Sequence, residues 1–227
     1  ALECAFLPSN IVILRHDVDR KPENALSLAR EEHDLGLRAT YYFRMVKSTY
    51  KPKIIQQIAS LGHEIGFHYE SLSLTKEDYG KAIILFEEQL SELRENCPVR
   101  TIAMHGSPLS PFDNRKLWDR YRFTDYGLIG EAYLSLDYQL ICYLTDTGRS
   151  WQGGKYNLRD RVSEQWDTSG IEVTDHLIHA LGKKQFSRLC IQTHPERWSR
   201  TNSEWVVSFL TDMTSNLIKR VIKEVRK

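Results

Sequence analysis

Ile11-Val12-Ile13-Leu14-Arg15-His16-Asp17-Val18-Asp19 decides the fold. It begins as an unbroken aliphatic run, which suits a strand buried on both faces. It ends in one imidazole and two carboxylates. In α/β folds the C-terminal ends of parallel strands are where sites are built. Two acids two positions apart at such a mouth can divide a task, one binding a metal and the other taking a proton. By itself the stretch reads equally well as a polar turn leading to a helix at Pro22.

Outward from this strand the chain alternates. Pro22-Glu23-Asn24 opens a helix whose Ala25, Leu28, Ala29 and Leu35 give one buried face, and Gly36 closes it. Leu37 to Phe43 reads as a second strand. Pro52 starts a short helix through Leu61, and His63 to His68 is a third strand and its exit. Leu74 to Asn96 reads as one long amphipathic helix. Val99 to Met104 is a fourth strand, ending at His105-Gly106-Ser107-Pro108. A short helix lies within 112–121. Gly130 to Leu136 and Gln139 to Leu144 are two strand-like runs, and Thr145 to Trp151 is a polar turn. A helix opens at Thr174, a last strand runs from Leu189 to Gln192, and a final helix spans Ser203 to Lys227. Units of roughly 30 residues with this alternation mark parallel βαβ construction. About seven strands in a single domain over 1–227 fit a barrel or an incomplete barrel. No GxGxxG follows the first strand, which disfavours a dinucleotide fold.

Composition narrows the function classes. The 227 residues are 41% apolar and 27% charged, enough for a full core and unlike a disordered chain. With 31 Lys plus Arg against 30 Asp plus Glu the formal charge is +1, so no basic field points to nucleic acid. No run approaches the roughly 20 apolar residues of a membrane helix. Residues 1–10 lack the pattern of a signal peptide. Cys4, Cys97, Cys142 and Cys190 are scattered and form no paired zinc motif, which reads as a reducing compartment, the cytoplasm.

The chemistry is positional. Four strands exit into histidine: His16, His68, His105 and His194. Parallel strands would bring these side chains to one face, together with Asp17 and Asp19. A mixed His/Asp set suits zinc or a similar divalent ion, which lowers the pKa of a bound water to about 7. A carboxylate then takes the water's proton and a histidine protonates the leaving group. Other residues read more plainly. His63 is structural, and His33 sits at a helix C-terminus where a cation is favourable. Trp151, Trp166, Trp198 and Trp205 could pack on a sugar ring, with Trp198 the better platform and Trp205 the better packing residue. Arg149, Arg159 and Arg197 could hold an anion.

In this order the motifs resemble the polysaccharide deacetylase superfamily (NodB-homology, carbohydrate esterase 4-like), and within it the proteins encoded with lipopolysaccharide O-antigen biosynthesis. Arg15 to Asp19 sits at the first acidic motif. Gly62-His63-Glu64-Ile65-Gly66-Phe67-His68 is similar to the segment entering the metal histidines and is the most specific. Thr145-Asp146 to Trp151 and Gln192-Thr193-His194 resemble the later motifs. The resemblance implies a distorted (β/α)7 TIM-like barrel and metal-dependent removal of N- or O-acetyl groups from an acetylated sugar, nucleotide sugar or lipid-linked saccharide. It gives Asp17 as base, Asp19 and His68 as metal ligands, His194 as leaving-group acid, and Asp146 and Trp151 as residues orienting that histidine and walling the acetyl pocket. His16, Glu70, Arg149 and Trp198 complete the expected substrate-binding set. The chain departs from the pattern at Leu72, where a second metal histidine is usual. His105 is the first substitute ligand and Glu70 the second. The Arg-x-Pro-Tyr motif is also missing, leaving Arg15 or Arg115 to partner the base. A degenerate fold that binds a saccharide or partner without catalysis is the alternative reading.

Overall fold

The structure, a computed structural model, describes residues 10–107, 110–151, 162, 166–199 and 201–225. Cys4, Pro108 and Arg159 lie outside the described residues. Seven strands form one wholly parallel sheet: β1 (Ile11–Val18), β2 (Thr40–Phe43), β3 (Glu64–Tyr69), β4 (Val99–Met104), β5 (Gly130–Glu131), β6 (Cys142–Thr145) and β7 (Arg188–Thr193). Their order is β5-β4-β3-β2-β1-β7-β6, with β1 paired to β2 and β7. The sheet curls into the expected distorted (β/α)7 half-barrel, open between β5 and β6.

Helices α1 (Pro22–Asp34), α2 (Pro52–Ser60), α3 (Ser71–Leu74), α4 (Tyr79–Arg94), α5 (Thr174–Gly182) and α6 (Asn202–Val225) accompany the strands. Two expectations change. The long helix expected from Leu74 to Asn96 is split, because Lys76 and Glu77 adopt positive φ and Asp78 caps α4 afresh through Lys81 N–H. The two runs between 130 and 144 shrink to a two-residue and a four-residue strand, separated by turns.

Strand alternation sorts the side chains. Outward-facing Val18, Tyr41, Phe43, Ile65, Phe67, Tyr69 and Ile102 join Ala25, Ala29, Ile55, Ile58, Phe86 and Leu90 of the helices in the main core. Cys142, Leu144, Leu189 and Ile191 pack on Leu177 and Ala180 of α5. The inner face is polar. Arg15, Tyr42, Glu64, Thr101, Tyr143 and Gln192 alternate with those core residues, and Glu64 accepts from the hydroxyls of Thr40 and Thr101, both at 2.8 Å. Gly66 is glycine for a reason: a Cβ there would meet the Tyr42 ring at 2.3 Å. The missing side chain lets that ring cross the barrel below the site.

Candidate active site

Asp17, Asp19, His68, His105 and His194 come together at the C-terminal mouth of the sheet, from β1, β3, β4 and β7. Asp17 is buried and held from two sides. Arg15, two residues earlier on the same inner face, donates from Nε and Nη2 to both carboxylate oxygens at 2.8 Å. Gln192 Nε2 donates to Oδ2 at 2.6 Å. Gln192 is itself fixed by the hydroxyls of Tyr143 (2.7 Å) and Thr145. Burial alone would raise the Asp17 pKa, but the charges of Arg15 and His68 hold it below the ordinary carboxylate range. Arg115 instead pairs with Asp113, so Arg15 is the arginine at this acid.

Asp19 differs. Its Oδ1 is buried with no hydrogen-bond partner. His68 Nε2 faces that oxygen at 3.4 Å and His105 Nε2 at 3.6 Å. Both rings are oriented from behind. His68 Nδ1 donates to Ala103 O at 2.9 Å, and His105 Nδ1 donates to Glu70 Oε2 at 2.9 Å. In its neutral form each imidazole turns its Nε2 lone pair to Asp19, with the second partner that metal-binding histidines ordinarily have. Two donors on one tetrahedral zinc ion stand about 3.3 Å apart. Among the described residues no trio of His, Cys, Asp or Glu is already closed to metal spacing. The two separations from Asp19 Oδ1, 3.4 and 3.6 Å, exceed that spacing by a few tenths of an ångström. An orphaned carboxylate oxygen between two lone pairs fits a divalent cation.

Glu70 lies behind His105 and supports it. Its carboxylate also accepts from Arg44 (3.0 and 2.6 Å) and Ser107 (3.1 Å), and its pKa falls to about 2, burial being outweighed by His105 and Arg44. Asn114 donates to His105 O at 2.8 Å and steadies that strand exit. Leu72 is fully buried in the main core.

His194 closes the far side, its Nε2 3.9 Å from Asp19 Oδ2. Its Nδ1 donates to Asp146 Oδ1 at 2.6 Å, and its backbone N–H reaches Asp146 Oδ2 at 3.1 Å. Arg197 donates to the same carboxylate at 2.6 Å. Burial would raise Asp146, but Arg197 and His194 bring it down to about 2. Burial and Arg197 disfavour the charged His194 ring, yet Asp146 outweighs them and its pKa is raised. Beside this pair lies a cleft of about 370 Å³ whose lining includes Asp146, Trp151, Arg197, Trp198 and Trp205. Trp151 is a buried wall whose indole N–H donates to the Thr174 hydroxyl at 3.3 Å, and Trp198 is half exposed at the rim.

One expected residue stands apart. His16 points from the opposite face of β1, where Nε2 donates to Glu32 at 2.8 Å and Nδ1 accepts from the Thr193 hydroxyl at 2.6 Å. A substrate at the strand mouths does not reach it. Arg149 lines the cleft beside Asp146, with its guanidinium engaged by Asp212 (2.8 Å) and Ser208 (2.7 Å), anchoring α6. Sequence reading left Gln192 without a task and Glu196 unnoticed. Glu196 is buried nearby, and burial with the Asp19 charge pushes its carboxyl up to about 7. Period-two counting along β1 (15, 17, 19) and β7 (190, 192, 194) would have placed Gln192 inward and His16 outward.

No protein-family model matches the chain, and no curated protein matches it. Solved structures do. A family 4 carbohydrate esterase from Streptomyces lividans in complex with acetate superposes with a TM-score of 0.50 at 13% identity, over 96% of this chain and 91% of that one. The two chains share a fold. A family 4 carbohydrate esterase from Bacillus subtilis aligns at TM-score 0.48 and 13% identity, over 91% of this chain and 75% of that one. A family 4 pseudoenzyme from Bacillus anthracis aligns at TM-score 0.47 and 15% identity, over 93% of this chain. This chain spans 62% of that pseudoenzyme's length.

Proposed function

We propose that the chain, as one domain, is a metal-dependent hydrolase of the polysaccharide deacetylase superfamily. Its substrate is an N- or O-acetylated sugar or sugar intermediate, in the context of lipopolysaccharide O-antigen synthesis in the cytoplasm. The observation that carries the reading is the orphaned Asp19 Oδ1, faced by His68 and His105 and flanked by Asp17 and His194. Asp19, His68 and His105 would hold the ion, with zinc the best match to a His/Asp set. When bound, a divalent ion acidifies water and polarises the acyl carbonyl. Asp17, ionised and held by Arg15 and Gln192, receives the water's proton. His194 delivers a proton from Nε2 to the departing amine or alkoxide, and Asp146 holds its ring and stabilises the charged form. Trp151 and Trp198 offer apolar faces to the sugar.

Elemental analysis of protein purified without added metal or chelator tests the site. About one ion per chain is expected in wild type, lost in both His68→Ala and His105→Ala. Retention by His105→Ala would remove that residue from the ligand set. Leu72 keeps the second reading in play, since an apolar core residue stands where the superfamily has a ligand. Binding without catalysis predicts no ion in wild type even after reconstitution, and saccharide binding indifferent to Asp17→Asn.

A further inference from the structure

Helix α6 is mounted with its polar side inward. A helix on a globular protein ordinarily buries its apolar stripe. Among the described side chains of α6, Ser208 and Asp212 are the buried positions. Asp212 accepts from Arg149 at 2.8 Å and Arg20 at 3.2 Å. Ser208 accepts from Arg149 at 2.7 Å and donates to Glu196 O at 3.2 Å. Asn216 donates to Gly148 O at 3.2 Å. The outward side carries Val206, Val207, Leu210, Met213 and Leu217, between 48% and 62% exposed.

Four of these residues form a seam. Val206, Leu210, Met213 and Leu217 are spaced by four, three and four residues, the pattern of paired helices. That spacing reads the same in both directions, as a two-fold contact between identical helices requires. Together with Val207 the patch exposes on the order of 500 Å² of apolar surface, toward the upper end of what a monomer leaves open. Doubled across a two-fold axis, it gives about 1,000 Å², the least a specific interface is expected to bury. A membrane surface is the rival occupant. Along the seam, 202–217, the charges are Glu204 and Asp212, which an anionic surface would repel, and Lys219, Arg220 and Lys223 lie beyond the seam toward the end of the helix.

We propose that α6 is a dimer interface, pairing antiparallel with α6 of a second copy about an axis between Leu210 and Met213. Leu210 then meets the partner's Met213, and Val206 meets the partner's Leu217. The contact is separate from the residues at the strand mouths and stands whether or not they carry a reaction.

Sedimentation velocity on the full chain, from about 1 to 100 μM, tests it at interface-level affinities. The expected result is concentration-dependent growth from 26.5 kDa to twice that mass. Leu210→Glu should stay monomeric with unchanged circular dichroism, and should match the wild-type melting temperature at concentrations where the wild type is itself monomeric. A wild type monomeric throughout overturns the proposal, and its co-sedimentation with anionic vesicles would assign the face to membrane instead. A Leu210→Glu protein that still dimerises places the contact elsewhere. Oxidative cross-linking reads the direction. Val206→Cys/Leu217→Cys should link efficiently. Either single variant should not, because an antiparallel pair holds identical positions about 16 Å apart along the axis. Ready linking of the single variants overturns the antiparallel arrangement.

Discussion

Two histidine–carboxylate clusters lie on opposite faces of β1, and they differ in one respect. On the outer face Glu32 takes His16 at 2.8 Å and the Tyr41 hydroxyl at 2.6 Å. His63 stands behind them, donating to Ala29 O at 2.8 Å and accepting from Ala39 N–H at 3.2 Å. Every polar atom of those three rings is matched. On the inner face Asp19 Oδ1 is left over between two imidazole nitrogens. Similar residue types thus make a satisfied structural brace on one face and leave a buried carboxylate oxygen without a hydrogen bond on the other. Residue identity does not separate them; hydrogen-bond satisfaction does.

The sharpest break between the clusters is in turnover. Asp17→Asn keeps the shape and the Gln192 neighbour but removes the proton acceptor. Acetyl release should fall by about 10³-fold, within the range for loss of a general base, with metal content unchanged. His16→Ala should leave the rate per folded, metal-loaded molecule within a few fold. An Asp17→Asn protein at wild-type rate would falsify the assignment of the base.

Stability should show the reverse. Glu32→Ala strands His16 and the Tyr41 hydroxyl under α1. Breaking a buried pair this way costs about 3 kcal/mol, read by urea unfolding. Asp19→Asn should cost far less, since Asp19 Oδ1 has no hydrogen bond to lose. Equal losses in the two variants would erase the distinction drawn between the faces.

This contrast also explains what was legible in the chain. The aliphatic start of β1 and the Gly-His-Glu-Ile-Gly segment led to the barrel, because buried parallel strands and the glycines before and within them leave local marks. His68, His105 and His194 were legible as strand exits. His16 was placed with them because counting residues from the strand end ignores the side on which each projects. The bracing role of Arg149 was not legible for another reason. Its partners Ser208 and Asp212 lie about 60 residues away on α6, and no local pattern announces a long-range brace.

A smaller effect sharpens the inner cluster. Glu70 supports His105 without touching Asp19, so Glu70→Gln tests orientation alone. Loss of a carboxylate behind a metal-bound histidine lowers metal affinity by about 10- to 100-fold. Titration against a chelating competitor should show that drop at full stoichiometry. Loss of stoichiometry would make Glu70 a ligand instead.

The smallest effect belongs to the outer cluster and appears with pH. Burial would raise the Glu32 pKa, but the hydrogen bonds from His16 and Tyr41 lower it below the ordinary glutamate value of 4.5. A carboxyl depressed on folding contributes stability that is present above its unfolded pKa and is lost as pH falls through the folded one. The stability gap between wild type and Glu32→Gln should therefore be full at neutral pH and hold down to about pH 4.5. Below that it should narrow as the wild-type carboxyl takes up its proton. Melting curves of both proteins between about pH 7 and 3 read this directly. A gap that widens on acidification would mean that the neutral acid is the form the fold prefers. The outer cluster would then be strained instead of satisfied, and the difference between the two faces of β1 would need another cause.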